Sequence, residues 1–179
     1  MTRIGVRVLL VLAIAATVSC DRATKHIAAT TLAGVPSQSF LADTVRLHYV
    51  ENTGGFLSLG ADLPPAIRTG LFTVGTGLAL FGLVAGAIAF RWTGWPLLGL
   101  TLFVAGGASN WVDRVAHGSV IDFINIGFGP IRTGIFNVAD VAIMLGVSIV
   151  VVAELRRGTA GPPLPPVSTD GTESKEAGL

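Results

Sequence analysis

Charged residues are scarce in this sequence of 179 residues: they make up 13% of it, against 51% hydrophobic residues. An ordinary soluble domain has about 25% charged residues, so this chain has too few polar groups to cover a water-exposed surface. The single cysteine excludes an internal disulfide and leaves too few thiolates for a zinc site. A net charge of +1 gives no electrostatic footprint for nucleic acid, and no such partner is expected. The composition therefore predicts a polytopic membrane protein.

Long stretches without charge mark the membrane-spanning segments. No charged residue lies between Arg68 and Arg91, or between Arg91 and Asp113. Each stretch exceeds the roughly 20 residues that a helix needs to cross about 30 Å of hydrocarbon. Two further apolar segments lie near the ends of the chain. We predict an all-α membrane protein with four transmembrane helices in one domain, residues 1–157, with helices at about 4–28, 67–90, 93–112 and 133–155.

The first apolar segment also has features of a secretory signal, because Arg3 and Arg7 precede it and small residues surround Cys20. The helical pattern continues past Cys20 through Asp21 and Lys25, which favours a helix that is retained in the mature protein.

Basic residues near the helix ends predict the orientation, since cytoplasmic loops carry an excess of Lys and Arg. The residues before helix 1, Arg91 between helices 2 and 3, and Arg156 and Arg157 after helix 4 fall on one side, which we assign to the cytoplasm. Both termini are then cytoplasmic. The opposite side carries as many basic residues, but they are interleaved with acids, and some are expected to serve a site.

Two segments are expected outside the membrane on the extracytoplasmic side, residues 30–65 and 113–132. The alternation of Val45, Leu47 and Tyr49 predicts a strand in the first of them. Residues 158–179 are rich in Pro, Gly, Ser and Thr and lack apolar periodicity, which predicts a disordered cytoplasmic tail.

Ionisable residues at membrane depth are costly and are usually functional. Asp21 and Lys25 share a helical face at i,i+4, as do Asn110 and Arg114. Each pair has a simpler interpretation: an ion pair that reaches toward water, or an anchor at the membrane interface. Arg114 could also steady a neighbouring carboxylate or bind a lipid headgroup.

Two aspartates carry the strongest chemical signal. Asp122 lies among apolar residues in a segment next to the membrane. Asp140 follows Asn137 at i,i+3 near the start of helix 4, where the helix dipole alone would favour an anion. If the two carboxyl groups approach each other, one keeps a proton, and the pair can act as general base and general acid on a water molecule. The sequence alone does not show that they meet.

Other chemistries have less support in the sequence. The three histidines are scattered, with no His-Glu-x-x-His pattern, and no metal or cofactor is expected. A Ser–Lys hydrolase would need Lys25 with Ser58, Ser109 or Ser119, and no local signature supports it.

Four motifs in order make the chain resemble lipoprotein signal peptidase (signal peptidase II), a family of bacterial membrane aspartic proteases. The resemblance covers about residues 5–155. The motifs are Asp21 to Lys25, Asn52 to Gly54, residues 107–114 (GASNWVDR) continuing through 118–123 (GSVIDF), and residues 136–140 (FNVAD). The last two, with four spans and this chain length, are the specific part of the resemblance.

The resemblance implies a function and a site. Asp122 and Asp140 would form the catalytic dyad. The residues that would support the site or bind substrate are Asp21, Lys25, Asn52, Gly54, Asn110, Arg114 and Asn137. The family cleaves prolipoproteins on the N-terminal side of a cysteine that carries diacylglyceryl, is sensitive to globomycin, and has a small extracytoplasmic β-cradle. It implies an inner-membrane enzyme whose site faces the extracytoplasmic side, with a lipidated prolipoprotein and membrane lipids as partners. We expect a monomer.

One departure from the family pattern concerns the outer loop, where Phe56 comes one residue earlier than in the family's Asn-x-Gly-x-x-Phe. Three alternatives stay open: a non-catalytic polytopic membrane protein, a small ion-coupled transporter, and a family member that has lost activity.

Overall fold

Four long helices and a small sheet make up the computed structural model, which describes residues 3–55 and 58–159. The helices are α1 (Arg3–Thr31), α2 (Pro65–Ala89), α3 (Gly94–His117) and α4 (Val138–Thr159). The strands are β1 (Gln38–Phe40), β2 (Val45–Asn52), β3 (Val120–Phe128) and β4 (Ile131–Arg132). Phe56 and nearly all of the predicted tail at 158–179 lie outside the described residues.

Large apolar side chains cover the outside of the helices. Leu12 on α1, Phe81 on α2 and Leu145 on α4 are all exposed. Among the described residues, three helices are long and apolar enough to cross a membrane: Ile4–Thr31, Pro65–Ala89 and Val138–Arg157. The prediction of a largely helical membrane protein with a small sheet is confirmed.

Helix α3 differs from the other three. At 24 residues it is long enough to span, about 36 Å, yet it is not among the candidate spans. The physical reason is that α3 lies against its neighbours through small and polar residues, including Gly106, Ser109, Asn110 and Asp113, which are buried. The predicted count of four spans is therefore not established by length and composition.

Helices α3 and α4 pack closely because glycines face each other at their crossing. A Cβ atom on Gly146 would lie 2.5 Å from the carbonyl oxygen of Gly99, and one on Gly99 would lie 2.7 Å from the carbonyl oxygen of Gly146. Small residues that let two helix backbones approach are typical of helix contacts within membranes. This contact holds α4 against the helix that carries Asn110.

The four strands form one antiparallel sheet in the order β1-β2-β3-β4. Strand β2 contains the predicted alternation. Between Leu47, which pairs with Ile124, and Val50, which pairs with Asp122, the register shifts by one residue, as in a β-bulge. The sheet packs on the end of α1 through Ala28, Leu32 and Phe123.

Two helix boundaries near the sheet differ from the predicted ones. The fourth helix begins at Val138 rather than at about 133, because residues 133–136 pair with β3: the Thr133 amide donates to the Ile126 carbonyl, and the Phe136 amide donates to the Ile124 carbonyl. The third helix ends at His117 rather than at about 112. It ends there because Gly118 adopts a left-handed conformation, with φ of 74°, and caps it.

The remaining helix ends agree more closely with the prediction. Helix α1 extends to Thr31 rather than 28, and α2 begins at Pro65 rather than 67. Residues Thr69–Gly75 of α2 are π-helical. The indole nitrogen of Trp111 donates to the Thr73 carbonyl oxygen within that stretch, at 2.8 Å, which ties α2 to α3.

The glycine contact between α3 and α4 leads to a stability prediction. Gly146→Ala is expected to lower the free energy of unfolding by about 1–3 kcal/mol, because the added methyl group has no space. Gly82→Ala on α2 is the matched control, since no atom lies within 4 Å of its added Cβ. The control should be neutral or slightly stabilising, because alanine favours a helix over glycine by about 1 kcal/mol. Thermal unfolding in detergent measures both, and equal melting temperatures for the two variants would contradict the close contact.

Candidate active site

Asp122 on β3 and Asp140 on α4 line one cavity of about 330 Å³ where the sheet meets the helix ends. Asn52, Asn110 and Arg114 line the same cavity. Asp122 is 2% exposed. The structure therefore brings together two carboxylates that lie 18 residues apart in the sequence.

Asn137 joins the two aspartates. Its side-chain nitrogen donates to Asp122 Oδ1 at 2.7 Å and to Asn110 Oδ1 at 3.2 Å. Its side-chain oxygen accepts the Asp140 amide at 3.0 Å, while Asp140 Oδ2 accepts the Asn137 amide at 3.1 Å. These reciprocal bonds form a capping box at the start of α4. The geometry of Asp140 is thus set by the way its own helix begins.

Asn52 fixes the other side of Asp122. Its side-chain nitrogen donates to Asp122 Oδ2 at 2.9 Å and to the Gly55 carbonyl at 3.0 Å, and its oxygen accepts the Gly54 amide at 2.9 Å. Arg114 donates to the Gly54 carbonyl at 2.6 Å. The turn after β2 is therefore tied to both the carboxylate and α3.

Lys25 is buried, and its ammonium group is at the centre of a polar network. It lies 2.7 Å from each of Asp21 Oδ2, Asp113 Oδ2 and Asn110 Oδ1. An ammonium group has three hydrogens, so these acceptors satisfy it completely. Asn110 in turn donates to Asp140 Oδ1 at 2.9 Å, which connects the buried cation to the cavity through one amide.

Asp21 anchors three elements at once. Besides the ion pair with Lys25, it accepts the Ser109 hydroxyl at 2.6 Å and the Ala139 amide at 2.9 Å. The second bond satisfies an otherwise free amide in the first turn of α4. Asp21 is fully buried and holds α1, α3 and α4 in one arrangement.

Burial raises the pKa of Asp122 to about 6, and the negative charge of Asp140 adds to this effect. The hydrogen bonds from Asn52 and Asn137 act in the opposite direction, because they stabilise the ionised form. A carboxyl group with this pKa can hold or release a proton near neutral pH.

The structure gathers every predicted site residue around this cavity or its supporting network. Arg114 donates to the Gly54 carbonyl and, among the described residues, forms no ion pair with a carboxylate, although the nearby charges of Asp122 and Asp140 act on it electrostatically. Its Nε is buried without a hydrogen-bond partner. Phe56, on which the departure from the family pattern rests, is outside the described residues.

Sequence reasoning gave no supporting role to Arg22 or Ser109, and it interpreted Asp113 as a structural partner of the adjacent Arg114. Asp113 bonds to Lys25 and, at 2.6 Å, to Arg22, rather than to the neighbouring Arg114. The i,i+3 spacing of Asp113 from Asn110 could have indicated its true partner, because it places both side chains on the face of α3 that meets Lys25. Ser109 donates its hydroxyl to Asp21, so it is not positioned by Lys25 as a nucleophile would be. In residues 3–55 and 58–159, no group of three His, Cys, Asp or Glu side chains is placed to hold a metal ion.

Comparison with known proteins gives consistent results. The family model described as signal peptidase (SPase) II matches residues 13–156. The lipoprotein signal peptidase of Streptococcus pneumoniae is 36% identical over 129 residues, covering 69% of this chain and 77% of the relative. That of Mycobacterium leprae is 34% identical over 156 residues, covering 83% and 73%.

A solved structure described as a bacterial membrane enzyme superposes with a TM-score of 0.76 at 26% identity, covering 88% of this chain and 93% of that one. A second, with the same description, has a TM-score of 0.70 at 27% identity, covering 83% and 93%. With a family model that spans most of the sequence, these matches show that the chain belongs to the signal peptidase II family.

Proposed function

We propose that this chain is a membrane aspartic endopeptidase that removes the signal peptide from diacylglyceryl-modified prolipoproteins, cleaving on the N-terminal side of the lipidated cysteine. The observation that carries the proposal is the pair Asp122 and Asp140, which line one cavity and are joined by Asn137: its side chain donates to Asp122 and its backbone amide donates to Asp140. The family match supports the peptidase over a transporter or a non-catalytic membrane protein.

The two aspartates share the proton chemistry. The ionised carboxylate takes a proton from a water molecule as the water oxygen attacks the scissile carbonyl carbon. The protonated carboxyl group gives its proton to the carbonyl oxygen, and the dyad then returns a proton to the departing amine. The pair titrates as a unit with one shared proton. Neither a metal nor a covalent intermediate enters this sequence of steps.

The surrounding amides keep the dyad in place. Asn52 and Asn137 each use one N–H on Asp122, and Asn110 uses one on Asp140. Lys25 fixes Asn110 through its oxygen, so the amide has only one orientation in which to donate to Asp140. Arg114 and Gly54 shape the turn that forms the cavity wall. These residues would support catalysis without exchanging protons.

An apolar cavity of about 410 Å³ beside Asp140 supports a lipid-modified substrate. It is lined by Phe136 and by Val141, Met144 and Leu145 of α4. The three α4 side chains are exposed on the apolar face of that helix. An acyl chain lying there would bring the lipidated cysteine to the carboxylates from within the bilayer.

Four transmembrane helices, cytoplasmic termini and an extracytoplasmic site form the topology that we propose with this function. Four of the six basic residues predicted outside form ion pairs: Arg22 and Lys25 pair with Asp113, and Arg46 and Arg132 pair with Asp43 at the surface. We assign the orientation from the basic residues at the opposite end, before helix α1, between α2 and α3, and after α4. Residues 1–157 would act as one monomeric peptidase domain in the bacterial inner membrane, followed by the tail.

Removal of either carboxylate should abolish cleavage. Asp122→Asn and Asp140→Asn are each expected to lower kcat/KM for a diacylglyceryl-modified prolipoprotein by at least about 10³-fold, because an amide can act as neither base nor acid. The purified variants are compared with the wild type in detergent or lipid by the mobility shift of the cleaved substrate.

Asp62→Asn is the control, since Asp62 is an exposed acid outside the cavity and should leave the rate unchanged. Normal cleavage by both dyad variants would rule out the aspartic mechanism. An inactive wild type, tested beside a homologous peptidase on the same substrate, would favour a family member that has lost activity. Globomycin binding to each variant shows whether the site is still folded.

The pH dependence of kcat/KM should reflect the raised pKa of Asp122. That carboxyl group is protonated below about pH 6 and ionised above it, and the dyad needs one proton. We therefore expect kcat/KM to fall as pH rises above about 6, because the protonated acid becomes rare in the free enzyme. Initial rates from pH 4 to pH 9 at subsaturating substrate measure the profile. A kcat/KM that still rises between pH 6 and pH 9 would contradict a mechanism that needs this proton.

A further inference from the structure

A second cavity, of about 490 Å³, lies on the other side of the sheet from the aspartates. We call it the rear cavity. Lys25 and Asp113, which pair with each other, form part of its polar lining, and the other polar residues are Arg22, His26, Tyr49, Glu51, His117 and Ser119. It shares no lining residue with the cavity of the dyad. The mechanism places no substrate group and no proton transfer in it.

The alternation of side chains along the strands separates the two cavities. Asn52 and Asp122 face the dyad cavity, whereas their neighbours Glu51 and Ile121 face the rear cavity. Along α3, Asn110 and Arg114 line the dyad cavity, whereas Asp113 and His117 line the rear cavity. The rear cavity is therefore a separate site built by the same elements.

The rear cavity lies at the depth of lipid headgroups. Arg22 lies 18 residues beyond Ile4, where the first candidate span begins, and 18 residues of helix rise about 27 Å. That is close to the thickness of the hydrocarbon core. Ile27 on α1 and Val115 on α3, next to the cavity on the same helices, are 57% and 56% exposed, as expected for lipid-facing side chains.

One side of the rear cavity offers donors for a phosphate group. The Arg22 side chain is 40% exposed even though one of its nitrogens bonds to Asp113. His26 on α1 and His117 at the end of α3 are exposed beside it. A guanidinium with two imidazoles is a chemically suitable set of partners for phosphate oxygens.

The other side offers acceptors for a cation. Glu51 accepts the Tyr49 hydroxyl at 2.9 Å and, at 3.4 Å, the Ser119 hydroxyl. Within the described part of the chain, no Lys, Arg or His forms an ion pair with Glu51. Burial and the neighbouring Glu51 raise the pKa of Tyr49, so its hydroxyl stays protonated and continues to donate to Glu51. The carboxylate thus faces the cavity with hydroxyl partners but no counter-ion.

We propose that the rear cavity binds the headgroup of a membrane phospholipid that carries a phosphate and a primary ammonium group. The phosphate would lie on Arg22 and the histidines, and the ammonium would donate to Glu51. A purely anionic headgroup would meet the carboxylate unfavourably, and a quaternary ammonium has no N–H to donate to it. This inference uses the membrane location of the chain and does not depend on its peptidase activity.

Tyr49 allows a direct test because it is the only tyrosine in the chain. The full chain labelled with 3-fluorotyrosine in an uncharged detergent is titrated with dioleoylphosphatidylethanolamine, and the ¹⁹F shift is followed. We expect a saturable shift. Dioleoylphosphatidylcholine, which has the same chains but no N–H, should bind at least tenfold more weakly. Glycerophosphoethanolamine, the headgroup without chains, should also bind at least tenfold more weakly.

Glu51→Gln should weaken the binding of dioleoylphosphatidylethanolamine at least tenfold, because the ammonium loses its counter-ion. Glu154→Gln, at the far end of α4, is the matched control and should bind like the wild type. His117→Gln gives a second variant, expected to weaken binding from the phosphate side. No saturable shift in the wild type, equal binding of the choline lipid, or unchanged binding in Glu51→Gln would overturn the proposal. Equal binding of the chain-free headgroup would assign the cavity to a soluble ligand and overturn the lipid assignment.

Discussion

The buried ammonium group of Lys25 is the interaction on which the arrangement of the helices depends. Its three acceptors come from two helices: Asp21 on its own helix, and Asn110 and Asp113 on α3. A buried charge is costly unless all its hydrogen bonds are made, and here each has a partner. Arg22 adds a second cation beside Asp113, so two acids and two bases balance. Moving α1 relative to α3 would leave several buried charges unpaired, which fixes one relative position of these helices.

The same network explains how a site is formed from helix ends. Asp21 accepts an amide in the first turn of α4, and Asn110 orients Asp140. The capping box of Asn137 and Asp140 then makes the beginning of α4 part of the dyad. The side chain of Asn110 thus connects Lys25, which stabilises the bundle, to Asp140, which we propose for catalysis.

Much of the fold and of the candidate site could be predicted from the sequence, because the informative residues are polar residues in an apolar context. The uncharged runs around Arg91 predicted helices. The i,i+4 pairs were also compatible with an ion pair or an anchor at the membrane interface, and the motif resemblance was what assigned them to a site. Asp113 was harder to place, since its neighbour Arg114 offered an obvious partner while the true partners lie 88 and 91 positions away. Residues 133–136 were predicted to be part of a helix because they carry no charge and adjoin an apolar segment. They are extended because they pair with β3. Long-range contacts of this kind leave no periodic pattern in one sequence.

The shift in register between β2 and β3 decides which residues between Leu47 and Asn52 lie on the same face of the sheet as Asp122. Before the shift the paired residue numbers sum to 171, as in Leu47 with Ile124, and after it to 172, as in Asn52 with Val120. If the shift were absent while the strand kept the same residues, Asp122 would pair with Tyr49, and Glu51 rather than Asn52 would share its face. A third carboxylate would then replace the amide that donates to Asp122. The irregularity in β2 is therefore what places an amide rather than a carboxylate beside Asp122, and a strand without it would keep that amide in place only if it were one residue shorter.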